Sequence, residues 1–267
     1  MIDMHCHILP EVDDGSISIH ETIEMAKIAY ADGIREIINT SHFHSESDDV
    51  TGLELLKTAK MVNEALEKEG VGVRVHVGNE LYWNEGLMKN LDSGGFYTLA
   101  KSDYVLVEFR PDKIPPDIED VAYEFIIRGY RPIIAHIERY IQVVDDIEVV
   151  AKLIDSGFLI QMNSRPITLG TGGRVESFCR EALERNMVHF VASDAHDRSI
   201  RTPSLAAAYE KVKAITGEEI AREIFLANPE KLLKNEDIDP FEIIGQKKGG
   251  LRRFFKRHKK QKGGVLV

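Results

Sequence analysis

The fold of this chain is restricted most by a regular alternation of short apolar, β-rich runs with amphipathic helical segments. Seven strand–helix pairs follow one another, an order typical of βα units packed around a parallel sheet. A length of 267 residues fits one α/β barrel, since such barrels commonly take about 250 residues. We therefore predict a barrel rather than an open sheet, with strands at Met1–His7, Ile34–Thr40, Val73–Val77, Tyr104–Phe109, Arg131–Ala135, Phe158–Met162 and Val188–Ser193.

The helices between these strands carry their own start and stop signals. Ser18 and Glu21 match a capping box, and Gly33 ends the helix that follows. Thr51 opens the next helix in the same way, and Gly70 ends it. Four further helices are predicted at Asp117–Arg128, Asp146–Asp155, Arg174–Arg185 and Ser204–Ala214.

Imidazole and carboxylate side chains occur at the carboxyl ends of six predicted strands. His5 and His7 form an i, i+2 pair, so both rings point to the same side of the sheet, and Asp194 with His196 repeats this spacing. In a barrel, this end of the strands is where active sites are built. Such a mixed set suits Zn, Mn or Fe, and it is too large for one tetrahedral ion. We predict two or three divalent ions held by His5, His7, His42, Glu80, Glu108, His136, Asp194 and His196.

Four sequence stretches resemble motifs of a known family: MIDMHCHILPEVDDGS, VLVEF, GYRPIIAHIER and VHFVASDAH. The chain is similar over about residues 1–235 to the PHP (polymerase and histidinol phosphatase) superfamily. Within it, the likeness is to the manganese-dependent protein-tyrosine phosphatases of Gram-positive capsule and exopolysaccharide operons. Two segments depart from the usual TPH and HPER motifs, at Thr40-Ser41-His42 and at His136-Ile137-Glu138-Arg139. The lost prolines adjoin proposed ligands without replacing any.

The resemblance implies a distorted, TIM-like (β/α)₇ barrel of the PHP type that holds a trinuclear metal centre. It implies Mn²⁺, with Fe or Zn as alternatives, and hydrolysis of phosphotyrosine on a partner kinase. By position, Asp14, Arg139 and Arg201 would serve catalysis or phosphate binding. Arginine offers a planar charged fork for phosphate oxygens, and Asp14 could protonate the tyrosyl oxygen or orient water. The alternatives are a turn residue for Asp14 and a surface arginine for Arg201.

Other functions fit less of the sequence. A cysteine-based phosphatase needs a glycine-rich phosphate loop, but Cys-x₅-Arg occurs only at Cys179–Arg185, which contains no glycine and is predicted to be helical. Cys6 lacks the arginine and is expected to point away from the metals. A small-molecule phosphatase, such as one for histidinol phosphate, and a non-catalytic metal-binding module remain open. An amidohydrolase-like site is disfavoured because no lysine lies at a strand end.

Composition narrows the compartment and the partners. Two cysteines in 30.1 kDa make no disulfide framework, and no apolar run approaches the roughly 18 residues of a membrane span. No signal-peptide pattern precedes the first strand, so we predict a cytoplasmic protein. A net charge of −10 argues against nucleic-acid binding.

The carboxyl-terminal segment differs from the rest of the chain in charge. Residues 247–267 carry nine of the 34 Lys and Arg and no acidic residue, which leaves 25 basic against 44 acidic residues, a net charge of −19, in residues 1–246. We predict a barrel over 1–246 and a flexible basic tail over 247–267. The tail is either a solvated end, an anchor to an anionic membrane surface through Phe254 and Phe255, or a docking segment for an acidic partner.

Overall fold

The computed structural model describes residues 1–44, 52–92, 95–170 and 173–245. Seven strands form one sheet in chain order, each parallel to the next. A parallel bridge between Cys6 and Ala195 joins the first strand to the last, so the sheet closes into the predicted barrel. The strands are β1 Ile2–Cys6, β2 Glu36–Phe43, β3 Arg74–Tyr82, β4 Tyr104–Glu108, β5 Arg131–Ile134, β6 Leu159–Asn163 and β7 Phe190–Ala192.

The helices cover the outside of the sheet and one of its ends. Six of them match the predicted positions, while α3, α5, α7, α10 and α11 are additional. Short 3₁₀ turns occupy Leu99–Lys101 and Ile137–Arg139, and a π turn occupies Glu223–Ala227. The helices are α1 Ile19–Ala31, α2 Gly52–Lys68, α3 Glu85–Asn90, α4 Ile118–Ile127, α5 Ile141–Asp145, α6 Glu148–Asp155, α7 Ser164–Leu169, α8 Arg174–Glu184, α9 Ala206–Thr216, α10 Glu218–Arg222 and α11 Asn228–Leu233.

The start of α1 confirms the predicted cap with one change of partner. The Ser18 hydroxyl accepts from the Glu21 amide at 3.2 Å. The Glu21 carboxylate accepts from the Ile17 amide, also at 3.2 Å, rather than from that of Ser18 itself. The predicted cap at Thr51 lies outside the described residues.

Strands β2 and β3 run further than their apolar segments predict. They end at Phe43 and Tyr82, so two candidate ligands lie inside the strands rather than after them. The hydrogen-bond ladder continues through polar residues, where Ser41 pairs with Asn79 and His42 pairs with Glu80. Nδ2 of the Asn79 side chain also donates to the Ser41 carbonyl at 2.8 Å, which links the two strand ends.

Two apolar clusters confine polar side chains to one end of the barrel. The larger lies between the strands and the helices and includes Cys6, which confirms that this thiol points away from the flanking histidines. The smaller fills the barrel interior, where Leu232 from α11 packs with side chains from several strands. The carbonyl of Glu236, just beyond α11, accepts from Tyr104 at the first residue of β4. The smaller apolar cluster therefore lies towards the amino ends of the strands.

Of the predicted division into barrel and tail, the structure describes the barrel up to residue 245. The last described residues still contact the barrel, since Ile243 is buried and the Ile244 amide donates to the Arg185 carbonyl at 3.0 Å. Residues 247–267 lie outside the described part of the chain, so the flexible tail stays a prediction. None of the helices in the described ranges has both the length and the apolar character that crossing a membrane requires.

Candidate metal centre

The eight predicted ligands meet at the carboxyl ends of the strands, around one carboxylate oxygen. Oε2 of Glu80 lies 3.3 Å from His5 Nε2, 3.4 Å from His7 Nε2 and 3.3 Å from His42 Nδ1. The two Nε2 atoms of His5 and His7 are 3.4 Å apart. A carboxylate oxygen and imidazole nitrogens grouped this closely are donors that could hold a divalent ion.

Asp194 contributes a second carboxylate to the same cluster. Its Oδ1 lies 3.4 Å from His5 Nε2, 3.7 Å from His7 Nε2 and 3.6 Å from His196 Nδ1. Burial alone would raise the pKa of Asp194, but the charges of His5 and Arg139 hold it well below its usual range. The residue is therefore an ionised, buried donor.

Glu108 and His136 complete the side of the cluster formed by β4 and β5. Nε2 of His136 lies 2.8 Å from Glu80 Oε1 and 3.4 Å from Glu108 Oε1. Burial and the neighbouring Glu80 carboxylate raise the pKa of Glu108 to about 8. Two carboxylates this close favour a cation between them.

The structure also brings Asp14 to the cluster. Its Oδ1 lies 3.4 Å from Nε2 of both His42 and His196, although 64% of its side chain is exposed. The sequence assigns Asp14 a catalytic role, and this position additionally makes it a candidate ligand. Three overlapping groups have ligand atoms within 4.8 Å of one another: His7/Asp14/His42/His196, His5/His7/Glu80 and His42/Glu80/Glu108.

The protonation of these rings fits a metal centre. Burial lowers the pKa of His42 and of His136, and burial with the nearby His7 lowers that of His196 to about 4. Neutral imidazole is the form that binds metal. Within the described part of the chain, Nδ1 of His42 and Nδ1 of His136 are buried and make no hydrogen bond. The residues present therefore suit divalent ions.

The loop after β1 positions His7 through Nδ1, the ring nitrogen that faces away from Glu80. Asp13 Oδ2 lies 2.7 Å from His7 Nδ1 and accepts from the His42 amide at 3.2 Å. Gly15 permits this loop, because a Cβ there would lie 2.2 Å from the His7 carbonyl oxygen. Sequence reasoning missed Asp13, although a second carboxylate six residues after a proposed ligand was a usable signal.

Both predicted phosphate-binding arginines lie at the edge of the cluster. Arg139 and Arg201 each pair with Oδ2 of Asp194, the latter at 2.8 Å. Their side chains are 38% and 29% exposed, so each is open to solvent on one side. Asp194 thus faces imidazoles with one oxygen and guanidinium groups with the other.

Strand β6 supplies two site residues that sequence reasoning missed. Gln161 and Asn163 are buried polar side chains at i, i+2, the same spacing that revealed the histidine pair of β1. The Gln161 oxygen accepts from the His136 amide at 2.6 Å. That bond supports a left-handed backbone at His136, whose φ of 30° is rare for a residue with a Cβ.

Cys179 and two histidines, His76 and His189, lie away from the cluster. Cys179 is buried in α8, so the Cys-x₅-Arg segment is helical and offers no phosphate loop. His76 pairs with Glu36 at 2.6 Å on the outer part of β3. His189 is buried beside Phe241, with its ring stacked at a centroid distance of 5.7 Å.

A closed parallel α/β barrel with histidines and carboxylates clustered at the carboxyl ends of its strands defines the class of barrel metalloproteins. Residues 1–234 match the family model described as "Capsular polysaccharide synthesis, CpsB/CapC". The chain therefore belongs to the CpsB/CapC family.

Similar proteins cover almost the whole barrel. The tyrosine-protein phosphatase CpsB of Streptococcus agalactiae is 32% identical over 243 residues, which are 89% of this chain and 100% of that protein. The tyrosine-protein phosphatase YwqE of Bacillus subtilis is 32% identical over 238 residues, or 89% and 93%. A crystal structure from work on YwqE of B. subtilis and CpsB of Streptococcus pneumoniae, "unique metal-dependent tyrosine phosphatases", aligns with a TM-score of 0.85 at 31% identity. The alignment covers 92% of this chain and 100% of the chain in that structure.

Proposed function

We propose that this chain is a metal-dependent protein-tyrosine phosphatase that acts on a partner tyrosine kinase in capsule or exopolysaccharide synthesis. The observation that carries the proposal is the Glu80 oxygen within 3.4 Å of three imidazole nitrogens, beside two half-exposed arginines. Relatives named tyrosine-protein phosphatases, at 32% identity over nearly their whole length, support the same activity.

The metal ions are two or three in number, with Mn²⁺ first and Fe or Zn as alternatives. The mixed nitrogen and oxygen donor set suits these ions, and when bound they supply an activated water and neutralise phosphate charge. The residues that would hold them are His5, His7, His42, Glu80, Glu108, His136, Asp194 and His196.

Around this centre, the chain's own side chains bind the phosphate and move a proton. Arg139 and Arg201 would exchange part of their contact with Asp194 for the phosphate oxygens, which the carboxylates alone would repel. Asp14, the most exposed carboxylate of the cluster, would transfer a proton to the departing tyrosyl oxygen.

A cysteine-free mechanism gives the first test. The double variant Cys6→Ser, Cys179→Ser should keep most of its turnover of a phosphotyrosine peptide, since both thiols are buried away from the cluster. Loss of turnover in a variant that is still folded and metal-loaded would refute the mechanism.

Substrate size separates the proposal from a small-molecule phosphatase. Exposure of Asp14 and Arg139 at the mouth of the barrel leaves room for a side chain that projects from a protein. We expect phosphotyrosine peptides to exceed histidinol phosphate in kcat/KM. The reverse preference would assign the chain to small substrates, and metal binding without turnover of either would favour a non-catalytic module.

For the basic tail, residues 247–267, we propose contact with the anionic inner surface of the membrane. Each basic residue near such a surface contributes about 1 kcal/mol, and Leu251, Phe254 and Phe255 supply apolar anchors. The full chain should bind anionic vesicles at low salt and release them as salt rises, and truncation after Gly245 should abolish binding while sparing peptide turnover. Equal vesicle binding by both proteins would leave the tail a solvated end.

A further inference from the structure

Strand β6 provides none of the candidate ligands, yet two of its side chains face the cluster. Gln161 is fully buried and Asn163 nearly so, while Leu159, Ile160 and Met162 of the same strand are apolar. Burying an amide is costly unless its polar groups are hydrogen-bonded. The bonds that these two amides make are therefore informative.

The two amides form one continuous chain of hydrogen bonds between three ligands. Oε1 of Gln161 accepts from the His136 amide at 2.6 Å and lies 3.2 Å from His5 Nδ1. Nε2 of Gln161 donates to Asn163 Oδ1 at 2.9 Å. Nδ2 of Asn163 donates to Asp194 Oδ2, also at 2.9 Å.

The ends of this chain fix its direction. A backbone N–H can only donate, and an ionised carboxylate can only accept. Both ends therefore require that each side-chain amide turns its oxygen towards His136 and its nitrogen towards Asp194. The Gln161 oxygen can then only accept from His5, so Nδ1 of His5 carries a proton. In the neutral, metal-binding form of His5 the lone pair then lies on Nε2, the atom 3.3 Å from Glu80 and 3.4 Å from Asp194.

We propose that Gln161 and Asn163 are positioning residues that preorganise three ligands of the metal centre. Gln161 sets the tautomer of His5 and supports the left-handed backbone of His136. Asn163 joins the two arginines on Oδ2 of Asp194, which leaves Oδ1 directed at the imidazoles. This inference rests on the proposed function only in requiring that the cluster binds metal.

The test is metal affinity, measured on the full chain by competition with a chelator for Mn²⁺. Gln161→Leu removes the oxygen and should weaken binding by about 10–100-fold, the usual effect of losing an outer partner of a ligand. Gln161→Glu keeps an oxygen for His5 and His136 and should restore most of that loss. Asn163→Leu removes both the donor to Asp194 and the acceptor for Gln161, and it should also weaken binding.

Asn63→Leu is the matched control, because Asn63 bonds the backbone of Ala59 and Val75 away from the ligands. It should lower stability against urea while leaving the Mn²⁺ affinity unchanged. Wild-type affinity in Gln161→Leu would overturn the inference, as would equal losses in the Leu and Glu variants or a similar loss in Asn63→Leu. Wild-type protein that binds Mn²⁺ without turning over phosphotyrosine would instead refute the proposed function and leave this inference intact.

Discussion

His7 and His189 are both fully buried, yet their surroundings drive their protonation in opposite directions. Burial alone would lower the pKa of His7, but hydrogen bonds to Asp13 and Glu80 raise it to about 10. Burial lowers the pKa of His189 to about 3, and no charged group opposes it there. Its Nδ1 accepts from the Ile160 amide at 3.1 Å, while its Nε2 has no hydrogen-bond partner among the residues that the structure describes. His189 is thus a neutral core residue, whereas His7 holds a proton that metal binding would have to displace.

The neutral state of His189 predicts a contribution to acid sensitivity. Below pH 6.5 the unfolded chain binds a proton there that the native state refuses, so stability falls with decreasing pH by about 1.4 kcal/mol per unit. Above pH 6.5 the contribution vanishes. His189→Asn keeps an acceptor for Ile160 and should show the shallower loss between pH 6 and 5 in urea unfolding. Parallel pH curves for the two proteins would contradict this assignment.

The two arginines on Asp194 predict a separation of metal binding from turnover. Arg139→Ala leaves Arg201 and Asn163 on Oδ2, so metal content should stay at the wild-type level. Turnover of a phosphotyrosine peptide should fall by about 10²-fold, as for loss of one preorganised charge contact. Arg128→Ala is the control, because this arginine pairs with Asp92 and with Glu124 of α4, away from the cluster. It should change neither metal content nor turnover. Metal loss in Arg139→Ala would make that arginine part of the ligand framework.

Among the elements, the meeting of β1 and β7 decides whether the ligands of both strands can share ions. A parallel bridge joins Cys6 of β1 to Ala195, just beyond β7, and a buried side chain strengthens this seam. Asp3 accepts from the Ser193 amide at 3.0 Å and pairs with its hydroxyl at 2.5 Å. The Asp194 amide then donates to the His5 carbonyl at 2.8 Å. The seam therefore sets the distance between the two ligand pairs.

Removing the seam contact should destabilise the barrel. Asp3→Ala leaves the Ser193 amide and hydroxyl buried without their acceptor, a loss of about 2–3 kcal/mol. Asp3→Asn retains one acceptor and should lose less. Asp112→Ala, at an exposed pair with Arg110, should leave the stability close to that of the wild type. Urea unfolding compares the three. Equal stability of Asp3→Ala and Asp112→Ala would mean that the seam is held by the backbone alone.

The ligands could be predicted from the sequence because their pattern is local. The i, i+2 pairs at His5 and Asp194, and single residues at strand ends, follow from strand direction alone. Gln161 could not be assigned, since its role depends on His5, 156 positions away, and on a backbone amide 25 positions away. The ends of β2 and β3 were missed for a related reason, because ladder pairing rather than apolar character carries them to Phe43 and Tyr82.

At the scale of the whole molecule, the barrel separates an apolar end from a polar one. Side chains such as Leu232 close the amino ends of the strands, so the charged groups are gathered at the opposite mouth. There, Glu80, Glu108 and Asp194 lie close together with little water to screen them. Ions between them would relieve this repulsion and stabilise the native state. Metal binding and activity are therefore expected to rise together.

Turnover of a phosphotyrosine peptide, measured while Mn²⁺ is returned to metal-stripped protein, tests this coupling most directly. The number of ions bound per chain is determined on the same samples. We expect no turnover in the stripped protein and a return of activity that follows metal content, reaching its full value at two or three ions per chain. Substantial turnover by the stripped protein, or a fully loaded protein without turnover, would contradict a metal centre that carries phosphotyrosine hydrolysis.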